Sequence, residues 1–111
     1  MSVSLERLAR NQTLFREVNE RIEEVVEGDL GDGEGPIQFL CECSDPQCTA
    51  TLRLSLEEYE RVRSNSTWFA IKRGHEIEEI ERVVSEQDGY EVVEKFNGRE
   101  FSERTDPRAR G

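Results

Sequence analysis

No stretch of this sequence approaches the roughly 20 consecutive apolar residues that a membrane-spanning helix requires. Its start, Met1-Ser2-Val3-Ser4-Leu5-Glu6-Arg7, holds no apolar segment of the signal-peptide kind. The expected location is therefore the cytoplasm, with no membrane partner. Histidine occurs once, and no serine-nucleophile motif is present, which leaves little from which to build a hydrolytic centre. A phosphate-cradling glycine loop is also missing, because the glycines near position 31 lie outside any strand–turn–helix context. Basic charge is scarce: 15 Lys and Arg stand against 25 Asp and Glu, a net charge of −10. Such a surface repels phosphate backbones, so nucleic acid is a poor partner despite Arg104, Arg108 and Arg110 near the C-terminus.

Apolar residues are also scarce, at 34% of the 111 residues against 36% charged. One domain at most is expected, with its core drawn from residues 36–96, where most aliphatic and aromatic side chains fall. A core of that size is marginal, and domains so small are often helped by a metal or disulfides.

Residues 1–27 read as an amphipathic N-terminal helix, with Leu5, Leu8, Phe15, Val18, Ile22, Val25 and Val26 near one stripe and Asn11 polar within it. The stripe suits packing on its own domain, docking on a protein partner, or pairing of two copies. Residues 28–35 form an acidic, glycine-rich linker that lacks the spacing of a calcium-binding loop. Residues 36–43 read as a strand, Ser44-Asp45-Pro46-Gln47 as a turn, and 49–54 as a second strand. Ser55-Leu56-Glu57-Glu58 fits a capping box opening a helix to about Ser64, with Leu56, Tyr59 and Val62 facing inward. Residues 68–72 read as a third strand. Residues 77–86 fit a helical stripe, but Asp88-Gly89 between two β-branched runs signals a hairpin with strands near 80–86 and 90–95. Residues 97–111 lack periodicity and read as a disordered tail.

All three cysteines lie in one short segment, Cys41-x-Cys43-x4-Cys48, and the single histidine is His75. Clustered thiols in a reducing compartment point to metal or redox chemistry rather than a disulfide framework. Three thiolates and one imidazole are a common tetrahedral zinc set. Residues i and i+2 of a strand project to one side, so Cys41 and Cys43 can chelate one ion. The Pro46 turn folds Cys48 back, and His75 arrives from a separate loop, with Gly74 allowing a close backbone approach. Four protein ligands leave no open position for catalysis by the metal. Glu76, beside His75, is placed to orient the imidazole.

The stretch from Phe39 to Thr49 (FLCECSDPQCT), then Leu56–Arg63 (LEEYERVR), Gly74-His75-Glu76 and Asp88-Gly89-Tyr90 together resemble a group of short, uncharacterised actinobacterial proteins. The resemblance covers roughly residues 15–95, implies a bacterial, cytoplasmic origin and one recurring small domain, and carries no activity.

The sequence thus predicts an α+β protein: an N-terminal helix, then a small antiparallel sheet with one covering helix and a Zn2+ site of Cys41, Cys43, Cys48 and His75. The expected function is a small regulatory or protein-interaction module with a structural metal, with a thiol-based redox or zinc sensor as the alternative and an enzyme disfavoured. Trp68, Tyr59 and the Phe15 face of the helix are candidate contact residues, although each fits the core better.

Overall fold

The computed structural model describes residues 5–30, 36–97, 103, 104, 106 and 108. It shows an α+β architecture: helix α1 (Leu5–Leu30), strands β1 (Ile37–Leu40) and β2 (Thr51–Leu54), helix α2 (Leu56–Arg63), then strands β3 (Trp68–Ile71), β4 (Glu81–Gln87) and β5 (Tyr90–Lys95). The strands divide into two antiparallel sheets, a β1–β2 pair and a three-stranded sheet ordered β3–β5–β4. Among the described residues, no helix is long and apolar enough to cross a membrane.

Local chemistry accounts for several boundaries. Ser55 caps α2 as expected: its hydroxyl accepts from the Glu58 N–H at 3.1 Å, and the Glu58 carboxylate accepts from the Ser55 N–H at 2.9 Å. Residues 81–95 form a hairpin, closed by the two residues Asp88 and Gly89 between paired Gln87 and Tyr90. Only Gly89 takes a left-handed φ there, +87°, which a side chain would resist. The helical stripe at 77–86 has no helix beneath it. Ile80 is buried at the entrance to β4, and the register shifts between Val83 and Ser85, leaving Val84 outside the pairing.

The first strand is shorter than expected. β1 ends at Leu40, so Cys41 and Cys43 lie beyond it in irregular backbone, where only Cys41 N–H to the Ala50 carbonyl (3.1 Å) continues the pairing. The core between the two sheets and α2 is built from Phe39, Leu52, Leu54, Tyr59, Val62, Phe69, Ile71, Val92 and Val93. Phe39 stacks on Tyr59 with ring centroids 4.5 Å apart. Tyr59 is fully buried and is thus no contact surface for a partner, whereas Trp68 is half-buried.

Helix α1 departs most from expectation. It extends to Leu30, into the segment read as linker; residues 31–35 fall outside the described ones. Its inward face is not the aliphatic stripe. Ala9, Gln12, Thr13, Arg16, Asn19 and Glu23 are buried, Leu8, Phe15 and Ile22 flank them half-buried, and Leu14, Val18 and Val25 point outward. The polar side wins because it meets specific partners. The Gln12 amide donates to Glu81 (3.0 Å), the Arg16 guanidinium donates to the Ser66 carbonyl (2.7 Å) and lies 4.8 Å over the Phe69 ring, and Asn19 binds β1. These bonds offset part of the desolvation penalty that would otherwise turn this face outward, although Gln12 Oε1 and Glu23 Oε2 are buried without a hydrogen-bond donor.

Of residues 97–111, expected as a disordered tail, only 97, 103, 104, 106 and 108 are described. Asp106 is buried and pairs with the buried Arg63, whose Nε donates to Glu20 at 2.6 Å. Most of that tail, Gly98–Ser102 included, falls outside the described residues. Burial alone would raise the Asp106 pKa, but hydrogen bonds from Arg63 and from the Arg108 N–H outweigh it and hold the carboxyl below the usual range. A carboxylate with a depressed folded pKa supports the fold above its unfolded pKa and loses that support as pH falls through the folded value. Asp106→Asn is therefore expected to cost about 3 kcal/mol in urea unfolding near neutrality. The gap to wild type should narrow as pH drops below the ordinary aspartate value of about 3.9.

Candidate metal centre

Two β-turns and the end of a strand bring the four predicted residues together. In the first turn Cys48 N–H donates to the Asp45 carbonyl (3.1 Å), Pro46 holds the second position, and the Asp45 carboxylate accepts from Gln47 N–H (2.9 Å). This returns Cys48 toward Cys41 and Cys43. In the second turn His75 N–H donates to the Lys72 carbonyl at 3.0 Å, with Gly74 in the left-handed region at φ +89°. A Cβ added at Gly74 would meet nothing within 4 Å, so this glycine serves the turn's backbone angle rather than a close approach. Each turn thus presents a ligating side chain at its fourth position.

The resulting cluster is compact. The Cys41, Cys43 and Cys48 Sγ atoms and a His75 ring nitrogen all lie within 4.8 Å of one another. His75 Nδ1 is 3.6 Å from Cys41 Sγ and 3.7 Å from Cys48 Sγ. A tetrahedral centre with metal–sulfur bonds of about 2.3 Å and metal–nitrogen bonds of about 2.0 Å has sulfur–nitrogen edges of about 3.5 Å. The side chains therefore already stand close to the separations that four-coordinate ligation needs.

The sulfurs are also surrounded by donors. Backbone N–H groups of Lys72, Asp45 and Ala50 are directed at Cys41, Cys43 and Cys48 respectively, the first at 3.1 Å. Such bonds favour the thiolate over the thiol. Crowding sets the limit on charge. The hydrogen bond from Cys41 holds Cys43 down to about 5, and the same bond, with burial, pushes Cys41 up. A cation bound among them would favour ionisation of all three sulfurs together. Cys41 and Cys43 are buried, while Cys48 and His75 are half-buried and form the outward side of the cluster.

Glu42, between the two buried cysteines, escaped the sequence reading. Its side chain has no exposed surface. Oε2 accepts from Tyr59 Oη (2.7 Å) and Asn19 Nδ2 (2.9 Å), and Oε1 accepts from Ala70 N–H (3.0 Å). Its own N–H donates to the Ala70 carbonyl at 2.8 Å. Asn19 also accepts from Leu40 N–H (2.8 Å) and donates to the Leu40 carbonyl (2.9 Å), closing off the end of β1 as a neighbouring strand would. Three elements thus fix the Cys-x-Cys segment through one carboxyl group. A buried glutamate alternating with two cysteines reads in sequence as a solvent-facing residue of a strand, and no local signal marks it otherwise. Glu76, the residue expected to orient His75, pairs instead with Glu91, whose carboxyl is pushed up to about 7 by burial first and then by that contact.

A cleft of about 550 Å³ lies beside the Ser44–Pro46 turn, lined by Arg7, Leu8, Asn11, Ser44, Asp45, Pro46 and Ile77. None of the four clustered residues is among its described lining residues. Compared with family models, curated proteins and solved structures, the chain matches none. The cluster's chemistry therefore rests on its own residues: three thiols and an imidazole, preorganised by turns, that could hold one metal ion.

Tyr59→Phe removes one of three donors to a buried carboxyl while keeping the stacked ring. The expected cost is about 1–3 kcal/mol, read as a lowered urea midpoint with an unchanged slope; a midpoint equal to wild type would show that the Glu42 anchor carries no stability.

Proposed function

We propose that the chain is a small zinc-binding module in which the metal ties the fold together and the remaining surface serves regulation through protein contacts. The observation that carries the reading is the set of sulfur–nitrogen separations, 3.6 and 3.7 Å, in a cluster of four soft and borderline donors. Thiolate-rich sets exclude calcium and magnesium, and iron–sulfur clusters ordinarily use four cysteines. Zinc accepts three sulfurs and one nitrogen in a closed tetrahedron. A closed tetrahedron leaves no position for substrate or water, which argues for a structural rather than a catalytic metal. A reducing cytoplasm suits this reading, because it keeps the thiols free for the ion. The interaction role is supported by Leu14, Val18 and Val25, which stand 54%, 45% and 60% exposed on the outer face of α1.

Metal content by mass spectrometry on protein purified without added zinc tests the first part. One equivalent of zinc is expected in wild type and a loss of most of it in Cys48→Ser. His75→Ala is expected to bind at least tenfold more weakly. Cobalt substitution should give the absorption of a tetrahedral centre with three sulfurs and one nitrogen. Wild type without stoichiometric metal would overturn the proposal.

A second reading, a thiol-based redox sensor, is favoured by the half-buried position of Cys48 on the outward side. The Cys48 thiolate would attack one oxygen of peroxide and break the O–O bond, giving a sulfenic acid and releasing the second oxygen as hydroxide. A neighbouring thiolate would then displace hydroxide to form a disulfide, and the metal would lose two ligands. Zinc release at micromolar peroxide, abolished in Cys48→Ser reconstituted with zinc, would support this reading. Release only at protein-damaging doses would remove it.

A further inference from the structure

The cleft beside the Ser44–Pro46 turn is assembled from three separate parts of the chain. Arg7, Leu8 and Asn11 come from the N-terminal part of α1, Ser44, Asp45 and Pro46 from the turn after Cys43, and Ile77 from the segment after His75. Asn11 ties two of these walls together, its Nδ2 donating to the Ser44 carbonyl at 3.2 Å. Leu8, Pro46 and Ile77 supply apolar surface, and Leu8 and Ile77 are themselves half-buried. The volume, about 550 Å³, falls within the roughly 300–1,000 Å³ usual for small-molecule pockets, which are likewise mostly apolar with a few polar groups that fix orientation.

Ser44 marks where the polar group of an occupant belongs. It is 1% exposed, and its Oγ is buried without a hydrogen-bond partner. A serine side chain is a single hydroxymethyl group, so a serine that lines a cleft has its hydroxyl at the wall or one χ1 rotation from it. An unmet buried hydroxyl costs free energy, and it can both donate and accept. A group carried into the cleft would meet it. Charge narrows the choice of occupant. The charged lining residues are one base and one acid, Arg7 and Asp45, both exposed, and their charges cancel. The Asp45 carboxylate already accepts from the Gln47 N–H at 2.9 Å. The net charge of −10 repels anions from the whole chain. Apolar walls would strip the water from an ion of either sign without pairing it.

We propose that this cleft is a binding site for a small neutral amphiphile, with an apolar body against Leu8, Pro46 and Ile77 and one hydrogen-bonding group on the Ser44 hydroxyl. The site stands on the cleft's own residues and holds whether or not the four clustered side chains carry a metal. Its position gives it a use. An occupant touches the segment between Cys43 and Cys48 and also the residue two places after His75, so it steadies both turns of the cluster at once.

The test uses the full chain and two fluorescent probes of one skeleton: phenylnaphthylamine, which is neutral with a single N–H, and anilinonaphthalene sulfonate, which adds an anion. The neutral probe is expected to bind one to one and roughly tenfold more tightly than the sulfonate. It should shift the backbone amide resonances of Ser44, Asp45 and Ile77 and the side-chain amide of Asn11. Ser44→Ala removes an unmet hydroxyl, so its urea midpoint should not fall below that of wild type, while it binds the neutral probe roughly threefold or more weakly. Leu8→Glu, which puts a carboxylate in the apolar wall, should abolish binding and keeps the question open to measurement if Ser44→Ala does not fold. No binding by wild type, resonance shifts confined to other residues, preference for the sulfonate, equal or tighter binding by Ser44→Ala, or undiminished binding by Leu8→Glu each overturns the proposal.

Discussion

A carboxyl group with no exposed surface lies between the first two cysteines, and much of the molecule is arranged around it. Glu42 cannot be solvated, so it must be met by donors, and the donors come from α1, α2 and β3. That requirement fixes where each of those elements can sit. Asn19 must face β1, so α1 turns its polar side inward. Tyr59 must reach the carboxyl, so α2 lies with its ring against Phe39. Ala70 must offer both backbone groups, so the edge of β3 lies against the segment joining the cysteines. The position of the sulfurs follows from the same constraint, since Cys41 and Cys43 flank the anchored residue. An unmet carboxyl at this depth would cost several kcal/mol, comparable with the whole stability of a small domain.

The same logic recurs at the other end of α1. Buried Arg63 bridges Glu20 and the buried Asp106, and Arg108 completes the outer layer. Helix α1 is therefore held by polar contacts along most of its inward face, with Leu8, Phe15 and Ile22 packing at its flank. Its aliphatic residues are divided between that flank and solvent. A helix docked in this way is positioned by direction-dependent bonds rather than by area, which favours one orientation over its near neighbours.

How much of this could be read from the sequence follows from the range of each interaction. The capping box at Ser55 and Glu58, the Asp88-Gly89 hairpin and the α+β composition are local signals, and they are found where expected. The four clustered residues were legible because cysteine and histidine are rare here and their chemistry is narrow. Glu42, Arg16 and Asp106 were not legible. Partners that bury them lie far along the chain, Tyr59 17 positions from Glu42, Ser66 50 from Arg16 and Arg63 43 from Asp106, and a charged residue in a periodic pattern reads as solvent-facing by default. The inward face of α1 was misassigned for that reason: the hydrophobic stripe is real, but hydropathy has no means of knowing that a buried set of matching partners awaits the opposite side.

The two turns that deliver Cys48 and His75 belong to different parts of the chain, one following β1 and one following β3, and the two sheets share no strand pairing. An ion held by all four side chains would be a cross-link over 34 residues, from Cys41 to His75. By loop-closure reasoning a covalent bridge of that span restricts the unfolded chain by roughly 4 kcal/mol. Unlike a disulfide, such a bridge would answer to the free metal concentration around the protein. The stiffness of the contact between the two sheets would then be a quantity the surroundings could set, without any change in the sequence.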